Sequence, residues 1–262
     1  TQYYSLLKKF TANKTDPELL KKLMAAAGDA YDDATPYFEA YVKTQNSMFT
    51  KENIEYIKMF ASTTTDTGFK LILNNQNRFD DAEGAGKANE FLVSVIVNDY
   101  LRKLYRKKET GKLEMDEEVM TMVRSKFPRQ ANQVFALAKV NKLSSIPDWK
   151  NYEIALMDYM KEFGAISNSS EQLNEFAWNI FLHGENDESV KQAQAWSKKS
   201  LSGKDIDNPM YMDTYANIIY RLGNVEEAIR WEAKALKLEK EDKESYQKTI
   251  EKMKAGEKTW KE

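Results

Sequence analysis

Two stretches decide how this chain folds: Asn174-Glu-Phe-Ala-Trp-Asn-Ile-Phe181 and Asp213-Thr-Tyr-Ala-Asn-Ile-Ile-Tyr220. Phe176 matches Tyr215, Ala177 matches Ala216, Ile180 matches Ile219, Phe181 matches Tyr220, and Gly184 matches Gly223 beyond them, all at an offset of 39. In the segments that follow, Ala193 matches Ala228, Trp196 matches Trp231, Lys199 matches Lys234 and Leu201 matches Leu236, now at an offset of 35. Self-similarity at this period is the mark of stacked supersecondary units. The difference of 4 places about four extra residues in the first unit, within Glu185 to Gln192, where they lengthen a turn or add one helical turn. Surface connections tolerate such insertions.

The residue types at the matched positions specify helical hairpins. Ala177, Ala193, Ala216 and Ala228 lie where the two helices of a hairpin must approach closely, so larger side chains there would force them apart. Gly184 and Gly223 supply the left-handed conformation that ends the first helix of each pair. Asn208 before Pro209 opens the first helix of the second unit, and Asn224 with Glu227 reads as a capping box for its second helix. A final helix from about Lys243 caps the pair.

Working outward, Asp16 and Pro17 read as an N-cap and first helical residue, followed by Leu19, Leu20, Leu23, Met24 and Ala27 at helical spacing and ended by Gly28. A second helix is expected from Thr35 to Ser47, and Thr50 caps a third. Between Gly68 and Phe79, alternation suggests a strand, but Phe69, Ile72 and Leu73 also share a helical face. Helix is preferred, because a lone short strand has no partner. Asp80 to Gly86 reads as turn, Lys87 to Arg106 as one long helix, and Met115 to Phe127 with Gln130 to Val140 as an antiparallel pair broken at Pro128. Leu143 to Asp148 then separates an N-terminal helical region (1–145) from the repeat region (146–262), which can also pack as one continuous module. Pro147 and Asp148 open a helix whose stripe is Trp149, Tyr152, Leu156, Tyr159, Met160 and Phe163, closed by Gly164. The expected fold class is all-α, built of antiparallel helical hairpins.

Composition agrees and narrows the chemistry. Five prolines and ten glycines in 262 residues favour long helices over a turn-rich β fold. With 39 basic and 41 acidic residues the chain has no basic footprint for nucleic acid. The run Arg102, Lys103, Arg106, Lys107, Lys108 reads as a solvated helix end. There is no cysteine, hence no disulfide, zinc thiolate or redox dithiol. No apolar stretch reaches the ~20 residues of a membrane span. Thr1 leads the sequence in place of methionine, so the chain is expected to be processed or cut from something longer. His183 is the single histidine and sits at an expected helix C-terminus, where a structural role suits it. The acidic groups Asp32-Asp33, Asp80-Asp81-Glu83 and Asp116-Glu117-Glu118 lack the spacing of a calcium loop and read as turns and helix starts. Gly84-Ala-Gly86 is no phosphate loop. Neither catalytic residues, a metal site nor a cofactor is expected; the enzymatic alternative is a dispersed carboxylate and tyrosine site such as Glu175 with Tyr215.

Ala216, Gly223, Ala228 and Ala235, at offsets of 7, 5 and 7, resemble the small-residue pattern of tetratricopeptide repeats, as do Ala177 and Gly184. The sequence departs from it by the insertion, by Ser200 at the place of Ala235, and by Lys240 where a proline is usual. The resemblance implies a concave groove lined by the first helix of each pair, with Asn174, Trp178 and Phe181, then Asp213, Asn217 and Tyr220, facing an extended peptide. Asn217 matches the residue that holds a peptide backbone in carboxylate-clamp members, but Asn174 and Asp213 replace that clamp's lysines. The competing reading buries Trp178, Phe181 and Tyr220 against the helix before Gly164 or the C-terminal helix.

A wider resemblance rests on Tyr4 to Phe10, Asp16-Pro-Glu-Leu-Leu20, Thr50-Lys-Glu-Asn-Ile54, Phe60 to Phe79 and the two repeat starts. Together they are similar to the helical region that follows the thioredoxin domain in thioredoxin-like proteins of Bacteroidetes-type bacteria. That family's Cys-x-x-Cys motif belongs to the preceding domain, and neither cysteine is present here. The resemblance implies a periplasmic, cell-envelope or secreted setting, with a cytoplasmic one as the alternative. It also implies a non-catalytic scaffold or interaction module whose partner is a protein, a peptide or a neighbouring domain of the same polypeptide. A chaperone-like peptide binder is a further alternative.

Overall fold

In the computed structural model, which describes residues 2–107, 113–164 and 169–260, fifteen α-helices make up almost all of the regular structure. The fold is all-α, as the sequence implies. Among the described residues no helix is long and apolar enough to cross a membrane. The chain forms two compact units, Thr1–Val134 and Phe135–Glu262.

The first unit begins with α1 (Gln2–Ala12), α2 (Pro17–Asp29), α3 (Thr35–Thr44) and α4 (Lys51–Met59). It continues through α5 (Thr67–Asn74), α6 (Gln76–Glu83), α7 (Lys87–Leu104) and α8 (Glu117–Lys126), and includes the start of α9 (Ala131–Ser145). Local chemistry sets the helix starts. Asp16 accepts from the amides of Glu18 and Leu19 at 3.0 and 3.2 Å, and Thr50 accepts from that of Asn53 at 3.2 Å. Phe38 stacks on Phe60 with centroids 4.4 Å apart, above a buried layer of Leu20, Leu23, Ile54, Ile57, Phe69 and Ile72. Gly68 lets α5 approach α4, since a Cβ there would stand 2.2 Å from the Ile57 carbonyl oxygen.

Several expectations need correction. Gly28 does not end α2: the helix continues through Asp29, and the Ala30 amide caps it. Residues 80–83 are helical, not a turn. Asp80 faces the next helix, where its carboxylate accepts from the amides of Gly86 at 3.0 Å and Ala88 at 2.7 Å and so caps α7. The long helix stops at Leu104, because Tyr105–Lys107 pairs antiparallel with Leu113–Met115 as strands β1 and β2. Lys108 lies outside the described residues. The division between the two units falls within α9, between Val134 and Phe135. There the first turn of α9 belongs to the first unit, whose Asn89 donates to Gln133 at 2.8 Å, while helical backbone bonding runs on to Ser145.

The second unit contains α10 (Trp149–Phe163), α11 (Ser170–His183), α12 (Asp187–Ser200), α13 (Pro209–Arg221), α14 (Val225–Leu238) and α15 (Lys243–Ala255). Helices α11 and α12 pair as one hairpin, α13 and α14 as the next, and α15 packs on α14. Ala177, Ala193, Ala216, Ala228 and Ala235 are all fully buried, as close helix approach requires. Three of the four inserted residues are helical and one lengthens the turn: Ala193 lies six residues after Asp187 and Ala228 three after Val225, while Asp187 lies three after Gly184 and Val225 two after Gly223. The two glycines differ. Gly223 is left-handed at φ 91°, but Gly184 is extended at φ −64°. Gly184 is needed for space, since a Cβ there would lie 2.6 Å from the Ile180 carbonyl oxygen. Asn224 makes no side-chain cap bond, and Glu227 accepts from the Trp231 indole at 3.4 Å, so no capping box forms.

Ala228→Leu should cost about 1–3 kcal/mol through overpacking. Lys234→Leu, which removes an exposed 3.2 Å ion pair to Asp207 and an ammonium 5.7 Å from the Trp231 ring centroid, should cost about 1 kcal/mol or less. Urea unfolding measures both, and equal small losses would show the helix pairing to be wrong.

Candidate functional site

The groove positions do not line an open groove. Asn174, Phe181, Asn217 and Tyr220 are buried, and Trp178 and Asp213 are half-buried. Phe181 and Tyr220 are met by the chain's own C-terminal segment. Gly256 takes a left-handed conformation (φ 72°) after α15 and turns Glu257 to Trp260 back onto α11 and α13. The Trp260 ring meets Phe181 and Tyr220 edge-to-face, with centroids 6.0 and 6.1 Å away. Tyr220 Oη donates to the Glu257 carbonyl oxygen at 2.8 Å. Trp178 packs on Phe181 at 5.0 Å.

Arg221 completes this seat. Its guanidinium donates to the carbonyl oxygens of Phe181 at 2.5 Å and Gly184 at 2.6 Å, which the end of α11 leaves open. Its other face lies against Trp260, 5.5 Å from the ring centroid. One residue thus joins the end of α11, the end of α13 and the tail. Sequence reasoning missed it, and no local signal marks an arginine whose acceptors lie 37 to 41 residues away.

Asn217 is also committed internally. Its amide donates to the backbone oxygen of Asp213 at 3.0 Å and to Asp213 Oδ1 at 2.9 Å, and is not held ready for a peptide backbone. The Asp213 carboxyl also acts on Glu232 of α14, which is fully buried and whose two carboxyl oxygens meet no donor among the described residues. Burial, and then the negative charge of Asp213, push Glu232 well above the usual carboxylate range. Burial raises Asp213 too, opposed by Glu232 and Asn217. Tyr246 of α15 is raised by burial and then by the charges of Asp213, Glu239 and Glu232. The sequence does carry a signal for Glu232: it falls on the buried stripe Ala228, Glu232, Ala235, where the first unit has Ser197.

The other candidate side chains also meet protein partners. Tyr215 packs edge-to-face on Trp231 at 5.2 Å, with the Lys198 ammonium over both rings at 4.7 and 4.3 Å. Burial and then Glu171 raise Glu175, whose charge acts on Tyr152 of α10. His183 stacks flat on Trp149 at 3.7 Å. Asp33 caps Thr35, Asp116 caps α8, and Glu83 pairs with Lys58. Among the described residues no three acidic, histidine or cysteine side chains converge as metal ligands. In the first unit a cleft of about 680 Å³ is lined by Lys21, Tyr41, Gln45, Ser47 and Asn53 among others. Its polar groups satisfy one another: Tyr41 donates to Asn53 at 2.7 Å, Asn53 to the Ser47 carbonyl at 2.9 Å, and Lys21 to Glu52 at 2.6 Å.

Arg221→Leu should destabilise the second unit by about 1.5–3 kcal/mol, the range for hydrogen bonds to a charged group. Arg221→Lys should recover less than half of this, since an ammonium lacks the planar fork and the ring contact. Urea midpoints decide, and a lysine variant as stable as wild type would show that charge alone matters.

No protein-family model and no curated protein matches this chain.

Proposed function

We propose that this chain is a non-catalytic helical scaffold whose last two hairpins are of tetratricopeptide type. Its partner is a protein segment or a neighbouring domain of the same polypeptide. The observation that carries this reading is the closed seat: Phe181, Tyr220 and Arg221, at or beside the positions that face peptides in open repeats, hold the chain's own tail. Side chains engaged in this way favour a rigid support over an open groove. Glu175 acts on Tyr152 and Tyr215 packs on Trp231, which favours the scaffold over the enzymatic alternative of a Glu175–Tyr215 site.

The wider resemblance supports a specific setting, a helical module appended to a thioredoxin-like domain in the cell envelope. Sequencing the reading frame upstream of Thr1 tests it. A thioredoxin-like domain with its Cys-x-x-Cys motif is the expected result, and an initiator codon next to Thr1 with no such domain contradicts it.

The same seat favours a second reading, a peptide binder whose own tail stands in for the ligand. A labelled peptide of the Gly256–Trp260 sequence would then bind the Trp260→Ala variant saturably, and the wild type at least about tenfold more weakly, because the tail lowers the fraction of open sites. Fluorescence anisotropy reads this. Equal affinity for both proteins, or no binding to either, removes the peptide-binding reading and leaves the scaffold.

A further inference from the structure

The contact between Asp213 and Glu232 is not something the hairpin geometry demands. The offsets of 39 and 35 that relate the two units place Asn174 at the position of Asp213 and Ser197 at that of Glu232. Both are buried, and both are neutral. The second hairpin therefore carries two acids where the first carries an amide and a hydroxyl.

Two carboxylates cannot donate to each other. Glu232 is 0 % exposed, neither of its oxygens meets a donor among the described residues, and the carboxyl that acts on it across the α13–α14 pairing is that of Asp213. A single proton between them resolves this. Asn217 already donates to Asp213 Oδ1 at 2.9 Å, which stabilises the Asp213 carboxylate and favours the proton on the fully buried Glu232.

The surrounding charges do not neutralise a second anion. Tyr246 faces the pair from α15, and Glu239 adds negative charge from the turn before it. From α11, Glu171 acts on Tyr211, two residues before Asp213, as does Asp205 from the turn after α12. The cation of α12 in this layer, Lys198, stands over the rings of Tyr215 and Trp231. Deprotonation would thus bury two like charges, and neither desolvation nor repulsion would be offset.

We propose that the Asp213–Glu232 pair is a one-proton latch in the C-terminal unit. While the proton is held, α13, α14 and α15 stay closed on one another; when it leaves, α15 and the tail that follows it loosen. The direction with pH follows from the proton count. In the unfolded chain Glu232 titrates at its ordinary value of 4.5, so above that pH the folded state retains a proton the unfolded state has lost. Stability then falls as pH rises, by up to about tenfold in the folding constant per pH unit.

The test uses the full chain. Urea unfolding of wild type and Glu232→Gln is measured from pH 5 to pH 9, with hydrogen exchange of the α15 amides of Ile250 and Met253 corrected for the intrinsic pH effect. Wild type should lose stability across this range, and its α15 amides should exchange at least about tenfold faster at the alkaline end relative to those of α11. Glu232→Gln, which keeps a hydrogen-bond donor toward Asp213 and cannot ionise, should flatten both trends. A variant that keeps the wild-type pH slope overturns the latch. Should Glu232→Gln fail to fold, the carboxyl-carbon resonance of Glu232 in ¹³C-glutamate-labelled wild type decides. A protonated-form shift at pH 7 supports the latch, and titration near 4.5 overturns it.

Discussion

Five alanines set how closely the helices of the paired hairpins approach, and the rest of the second unit is built on that spacing. Ala177, Ala193, Ala216, Ala228 and Ala235 have no exposed surface, and small residues at buried positions of paired helices let those helices pack closely. At that distance a larger side chain has nowhere to go, because interiors are packed as densely as organic crystals. The consequence for α13 is enclosure: every residue from Tyr211 to Tyr220 except Asp213 is buried. Side chains that a looser hairpin would leave facing solvent become internal contacts, and polar groups among them must find partners in the protein.

Arg221 and Glu232 are two outcomes of that requirement. The end of α11 leaves carbonyl oxygens that would otherwise be orphaned, and Arg221 satisfies them from the neighbouring helix while supporting the Trp260 ring. Glu232 sits on the seam itself, in the stripe otherwise held by alanine, and its burial is tolerable only with a proton and Asp213 beside it. Both features join α13 to its neighbours through groups that a purely apolar seam would not contain. They place the tail and α15 under the control of polar contacts and not of apolar area alone.

What the sequence reveals here is governed by range. Asp16, Thr50, Asp148 and Asn208 cap amides two or three residues away, so their roles can be read from the local string, and each accepts the expected bond. The alanine spacing is equally local to each helix. Gly184 and Gly223 look alike in the sequence yet serve differently, since one provides clearance for Ile180 and the other a left-handed turn; only the path of the chain beyond them separates the two. Asp80 escapes notice as a cap because its targets lie across a turn, and the β1–β2 pairing because three-residue strands carry too little pattern. The tail over Phe181 and Tyr220 lies beyond sequence reasoning, since nothing in Glu257 to Trp260 states where it folds back. The repeat marks Phe181 and Tyr220 as matched positions, while their contact with Trp260 carries no sequence signal.

Self-closure is the central claim, and it can be observed directly in solution. Nuclear Overhauser contacts from the Trp260 indole protons to the ring protons of Phe181 and Tyr220 report whether the tail occupies its seat. Strong contacts to both rings, with a Trp260 shift well removed from that of a free peptide, are the predicted result. Random-coil shifts for Trp260 and no contact to either ring would contradict the account, and would return Phe181 and Tyr220 to an open groove.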